Sequence, residues 1–202
     1  MNDRNEAPPG SASTDWERLR AGVIERAESE GLIDIAFETH DSPFGSILVG
    51  ASREGVIRVA LPAEDERAVL EDTAHRASAR IARAARPSLT IARTQLDQYF
   101  EGVRHEFELD LDWGLTKGFR RDVLRQTANI AYGQTSSYAE MAGRAGRPAA
   151  VRAAGTALAT NPLPILVPCH RVLRSDGSTG SYLGGPDMKV ALLAMERRSK
   201  EG

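Results

Sequence analysis

Hydrophobic and polar positions change period several times along the chain, and each change marks an element. Across residues 15–30, Trp16, Leu19, Val23 and Ile24 recur at helical intervals, which predicts a helix with one apolar side. From Leu32 the period drops to two, with Ile33, Ile35 and Phe37 alternating with Asp34, Ala36 and Glu38. Residues 47–49 follow the Ser42-Pro43-Phe44-Gly45 turn signal, and residues 56–61 follow Gly55, so the region predicts an antiparallel meander of three short strands. Residues 65–84 are highly charged and predict a helix; residues 87–100 carry Ile91, Leu96, Tyr99 and Phe100 at helix-compatible spacing and stop at Gly102. Phe107, Leu109 and Leu111 then alternate with Glu106, Glu108 and Asp110, which predicts a half-buried strand.

Residues 113–117 read as a boundary. Beyond them, Phe119, Val123, Leu124 and Thr127 make residues 119–130 an amphipathic helix, ended by Tyr132-Gly133. Ser137-Tyr138-Ala139-Glu140 satisfies the capping-box pattern and opens a short helix to about Gly143. A turn at Ala145-Gly146-Arg147 leads to Pro148, a residue favoured in a first helical turn, and residues 148–159 continue as a second helix. Two short helices around a Gly-containing turn predict a helix-turn-helix. The second is almost all small residues (Ala149, Ala150, Ala153, Ala154, Gly155) with Arg152 projecting alone. Close packing against the first half and entry into a narrow groove both fit that pattern.

Composition changes the picture in two ways. Residues 1–113 carry 13 Lys and Arg against 22 Asp and Glu, a balance of −9, while residues 114–202 carry 13 against 6, a balance of +7. A basic C-terminal half is the electrostatic footprint of a nucleic-acid contact, or a means of keeping an Ala-rich domain soluble. The chain also has one cysteine and four histidines, too few and too scattered for a spaced zinc set, so no metal is expected. No apolar run approaches the ~20 residues that span a bilayer, and residues 1–14 have the polar composition of a disordered tail rather than a secretory signal. A reducing, cytoplasmic setting, without membrane association, is the expectation.

The single cysteine, Cys169, lies in residues 161–185, NPLPILVPCHRVLRSDGSTGSYLGG. A lone cysteine is often a small buried hydrophobe. Here Pro162, Pro164 and Pro168 exclude helix and predict that Ile165, Leu166 and Val167 form a buried strand ending just before the thiol. His170 and Arg171 follow directly, and cationic neighbours shift a thiol toward the nucleophilic thiolate. A Gly-rich loop over residues 177–185 is free to wrap a ligand.

The residues Pro168-Cys169-His170-Arg171-Val172, the Asn-Pro at Asn161, and Gly180-Ser181-Tyr182-Leu183-Gly184-Gly185 with Lys189 and Glu196 resemble the O6-alkylguanine-DNA alkyltransferases. The likeness runs without gaps over residues 119–198 and more loosely from Ile33. It implies an α/β N-terminal domain of ribonuclease-H-like shape over residues 32–113, acting as scaffold, after a tail and appended helix at 1–31. A mostly helical, winged-helix-like C-terminal domain with the helix-turn-helix would occupy 114–202. It implies Cys169 as alkyl acceptor, His170 as base acting through a bridging water, Glu196 holding the far imidazole nitrogen, and Asn161 bracing the turn before the active segment. Tyr138 corresponds to a donor to a guanine ring nitrogen; Val172, Tyr182, Leu183 and Gly184 correspond to pocket walls, and Lys189 to a lysine near the site. Arg152, with Ala150, Ala153 and Gly155 around it, corresponds to the helix placed in the DNA minor groove, with Arg171 as a further DNA contact.

The implied activity is transfer of an alkyl group from O6-alkylguanine, with O4-alkylthymine a second base of that kind, in double-stranded DNA to the protein's own cysteine. It needs no cofactor, acts as a monomer and spends one protein molecule per lesion. From the residues alone, Asn161 also suits a helix cap, and Glu196 and Lys189 suit surface charges. Leu183, where the family often has Ser or Gly, suits either the alkyl pocket or the underside of its loop. A Cys-His-Glu thiol hydrolase and a non-catalytic lesion binder are the rival classes. The first leaves the small-residue helix and Arg152 unexplained, and the second does not need Cys169.

Overall fold

The computed structural model describes residues 11–201, with side chains from 15 to 198. The expected N-terminal tail lies outside the described residues up to position 10; from there α1 (Ser11–Ser29) begins. Its Trp16, Leu19 and Val23 are exposed, while Ile24 and Ala27 pack inward. An ion pair of Glu28 with the buried Arg86 (2.7 Å) ties its end to the body of the protein.

The meander is present as β1 (Ile35–Ser42), β2 (Gly45–Ala51) and β3 (Val56–Ala60), antiparallel in the register Thr39 opposite Leu48 and Val49 opposite Val59. Alternation sends Ile35, Phe37, Leu48 and Ala60 to one face, with Val69 of α2 (Glu66–Arg76), and Ala36, Ile47, Val49 and Val59 to the other; a bulge in β3 opposite Gly50 and Ala51 turns Ile57 to the first face. That second face meets Leu89, Ala92, Leu96 and Tyr99 of α3 (Pro87–Phe100).

Two expectations need correction here. Residues 65–84 are not one helix: α2 stops at Arg76, and β4 (Ile81–Arg83) pairs parallel with β1, Ile81 opposite Ile35, giving the order β3-β2-β1-β4. Asp34, clamped by Ser78 (2.6 Å) and Arg80 (2.9 Å), fixes that edge, and three residues are too few to show a period. Residues 107–111 do alternate between half-buried and exposed, but only Leu111 bridges, to Val56 on the free edge of β3. Earlier in the segment, the Gln95 side chain replaces a neighbouring strand, donating to Glu108 O (3.0 Å) and accepting from Glu108 N (2.8 Å).

The second half packs α4 (Gly118–Ala128) against α5 (Tyr138–Arg144) and α6 (Val151–Ala159) through Val123, Leu124, Met141, Ala142, Ala154, Ala157 and Leu158. The capping box at the head of α5 is complete, Ser137 and Glu140 each bonding the other's backbone. α6 starts at Val151, not at Pro148, because residues 148–149 turn and Ala150 is the cap. β5 (Ser136–Ser137) pairs parallel with β6 (Val172–Leu173), and α7 (Gly185–Glu201) closes the chain. β5–β6 pairing brings the head of α5 beside the residues that follow Cys169. The halves share one continuous core, and Val59 N donates to Pro162 O (2.8 Å) across their joint.

Candidate active site

The run 165–167 is not a strand. Residues 163–166 form a tight turn with Ile165 at φ 74°, a left-handed conformation costly for a β-branched residue. Asn161 holds it together: its Oδ1 accepts from Leu163 N (3.0 Å) and its Nδ2 donates to Val167 O (2.9 Å) and to Cys169 Sγ (3.2 Å). One buried amide thus both closes the turn and addresses the thiol, rather than capping α6. Cys169 opens a single 3-10 turn, Cys169–Arg171, and is 5% exposed.

Burial sets the resting state of the site. It pushes the Cys169 thiol up to about 11, against opposing pulls from the Asn161 amide, the Lys189 ammonium and nearby backbone N–H groups. The expected shift toward thiolate is therefore absent at rest, because desolvation outweighs the cations. Burial likewise pushes His170 below the usual imidazole range despite its bond to Glu196. The pair rests neutral.

Behind the thiol lies a saturated carboxylate. Glu196 Oε1 accepts from His170 Nε2 (2.8 Å), Arg171 Nη2 (2.9 Å) and Tyr99 Oη (2.7 Å), and Oε2 accepts from Arg171 Nε (3.0 Å) and Gly133 N (3.1 Å). Burial raises this carboxyl, but the hydrogen bonds from His170 and Arg171 and the Arg171 charge outweigh it and hold it at about 2. A carboxylate only accepts, so His170 carries its proton on Nε2 and leaves Nδ1, which has no partner among the described residues, as a lone-pair acceptor. Arg171 corrects its expected role as a DNA contact. It is buried, donates to Glu196 and to Ile130 O (2.5 Å), and lies over the Tyr132 ring, so its charge is consumed inside the protein. Tyr99 was legible only as a helix position, since 97 residues separate it from Glu196.

The remaining residues frame the thiol. Lys189 is buried, not a surface charge; its Nζ donates to Val172 O (2.7 Å), and burial lowers it to about 8 while Cys169 pulls it up. Tyr138 is half-buried, its phenol raised by burial and then by the nearby Cys169. A Cβ on Gly180 (φ 61°) would fall 2.7 Å from the Tyr138 hydroxyl, so only glycine lets the loop approach it. Gly184 is packed as closely: a Cβ there would collide with Met188 and lie 3.1 Å from the Tyr182 ring. Tyr182 stands edge-on to His170 (6.2 Å), and Leu183 is half-buried against the main core.

On α6, Arg152 and Ala153 are exposed and Gly155 is half-buried, with half-buried Ala150 at the cap; no ion pair engages Arg152 among the described residues. No group of three or more His, Cys, Asp or Glu among the described residues is placed to hold a metal ion. No helix of those residues is long and apolar enough to cross a membrane.

Two family models match: the 6-O-methylguanine DNA methyltransferase ribonuclease-like domain over residues 30–113, and the DNA binding domain of the same name over residues 118–198. The constitutive methylated-DNA–protein-cysteine methyltransferase of Bacillus subtilis is 34% identical over 81% of this chain and 96% of its own length. A methylated-DNA–protein-cysteine methyltransferase of Mycolicibacterium paratuberculosis is 47% identical over 52% of this chain, a match spanning 62% of that relative. Among solved structures, Mycobacterium tuberculosis OGT in complex with DNA superposes with a TM-score of 0.68 at 32% identity, covering 81% of this chain and 94% of that one.

Proposed function

The chain belongs to the O6-methylguanine-DNA methyltransferase family, and we propose from that premise that it repairs DNA by moving an alkyl group from guanine O6 onto Cys169. The observation that carries the reading is the thiol held by Asn161 beside a His170–Glu196 pair whose free imidazole nitrogen is a proton acceptor. Sγ attacks the alkyl carbon, the S–C bond forms, and the C–O6 bond breaks with its electron pair passing to the purine. The thiol proton goes to His170 Nδ1 through a bridging water. Tyr138 donates to a ring nitrogen of the leaving base and is reprotonated from the site, so guanine gains the proton that the thiol lost. Lys189 and the Asn161 amide face the sulfur and stabilise its charge only as it develops, which is where such stabilisation lowers a barrier. The product is a thioether, chemically inert to the groups around it, so one protein removes one lesion.

Duplex DNA is the partner, engaged through α6 in the minor groove. The bare flank at Ala150, Ala153 and Gly155 admits a close approach that reads width and backbone rather than sequence. The target nucleotide leaves the stack at a cost of a few kcal/mol, with Arg152 taking its place. Val172 and residues 182–184 wall the pocket, with Leu183 packed against the main core. Residues 114–202 carry this work as a monomer without a cofactor, residues 32–113 brace it, and the cytoplasm supplies the reducing setting. The test is single-turnover reaction with duplex DNA containing O6-methylguanine, read as guanine recovered in the DNA. The parent restores guanine and Cys169→Ala restores none while still binding the duplex. Restoration by Cys169→Ala removes the acceptor from the mechanism.

A further inference from the structure

The N-terminal half reaches into the catalytic network through one side chain. Tyr99, on α3, is fully buried, its ring packed on Phe100 (5.5 Å), Phe107 (5.3 Å) and Tyr132 (6.0 Å). Phenylalanine would serve that packing without burying a hydroxyl, which is costly unless it is bonded. The hydroxyl meets the His170–Glu196 pair: it donates to Glu196 Oε1 at 2.7 Å and lies 3.4 Å from His170 Nε2. Burial, and then the Glu196 charge, push the phenol well above its usual range, so it stays a neutral donor.

We propose that Tyr99 is a positioning residue for alkyl transfer, its hydroxyl sharing Glu196 Oε1 with His170 so that the imidazole stays neutral and presents Nδ1 to the thiol side. Tyr99 and Arg171 both donate to the oxygen that faces His170, and the share Tyr99 takes limits how strongly Glu196 draws a proton onto His170. Arg171 draws on the same carboxylate from the 3-10 turn, Lys189 and Tyr182 face the site from α7 and the loop, and Cys169 adjoins. His105 stacks on Tyr132 (4.1 Å) beneath Tyr99. Tyr99→Phe leaves all of these in place. The inference rests on His170 being the base of the proposed reaction.

The experiment is a pH titration of the His170 imidazole nitrogens by 1H–15N NMR in the full chain, alongside single-turnover methyl-transfer rates. In Tyr99→Phe, Glu196 binds imidazolium more strongly, and the His170 protonation midpoint rises by about half to one pH unit. The acid limb of the rate profile moves up by the same amount, which slows transfer about three- to tenfold on that limb. Site-specific replacement of Tyr99 by 3-fluorotyrosine, a stronger donor of nearly the same shape, moves the midpoint the other way and replaces Tyr99→Phe should that variant not fold. A midpoint unmoved by either change, or a rate lowered equally at every pH, reduces Tyr99 to packing and overturns the inference. The titration needs no DNA. A moved midpoint in a protein that transfers nothing sustains the inference and sinks the reaction, and transfer with an unmoved midpoint does the reverse.

Discussion

At the scale of single residues, the site keeps its nucleophile switched off. With the Cys169 thiol at about 11, thiolate at pH 7 amounts to about one part in ten thousand, a form resistant to stray electrophiles and oxidants. The sign of the resulting pH dependence is fixed: a raised thiol pKa keeps reactivity rising through the whole range in which a free cysteine would already level off. Carbamidomethylation of Cys169 by iodoacetamide, followed by intact mass, is expected to climb about tenfold per pH unit from pH 7 to near 10. A plateau below pH 8.5 would show a resting thiolate instead. Asn161 works against the same burial. Asn161→Ala removes the donor to sulfur and strands the buried Leu163 N, so a loss of about 1–3 kcal/mol in denaturant unfolding is expected. Asn161→Ala as stable as the parent would mean that the turn does not depend on that amide.

At the scale of elements, α6 exposes Val151, Arg152, Ala153, Thr156 and Ala159, short side chains around one cation that no ion pair engages among the described residues. Arg152→Ala should slow methyl transfer from duplex DNA far more than from free O6-methylguanine base, because only the duplex has stacking to overcome. Equal slowing on both substrates would assign Arg152 to the fold. Duplex binding should also weaken with added salt, through counterion release. Much of this element level was legible in the chain. Ser137 and Glu140 announced α5, the Ser42–Gly45 signal announced the β1–β2 hairpin, and the small residues of α6 stood out as they are. What failed depended on partners remote in sequence. β4 is three residues long and defined by Ile35; residues 107–111 are paired mostly by a glutamine side chain; residues 165–167 are bent by Asn161 into a turn despite strand-like composition. Arg171 failed for the same reason, since its place beside His170 in the chain says nothing of a carboxylate 25 residues on.

At the scale of the whole molecule, both halves supply the donors on Glu196: Tyr99 from the first, and His170, Arg171 and Gly133 from the second. That carboxylate is therefore a stability element as well as the proposed partner of the base. Its folded pKa, about 2, lies below the ordinary 4.5, so its contribution is complete above pH 4.5 and lost as pH falls through 2. The loss is on the order of 3 kcal/mol. Glu196→Gln strands Arg171 in the interior, so it should start about 3–5 kcal/mol less stable at pH 7 and show a flatter decline in acid. Equal slopes for parent and variant between pH 5 and 2 would place the acid sensitivity elsewhere. The central claim, that Cys169 is a stoichiometric alkyl acceptor, is tested most directly by intact-protein mass during titration with duplex DNA containing O6-methylguanine. A single gain of one CH2 is expected, located on the Cys169 peptide and saturating at one lesion per protein. An unchanged protein mass with continuing repair, or a gain on any other residue, would contradict it.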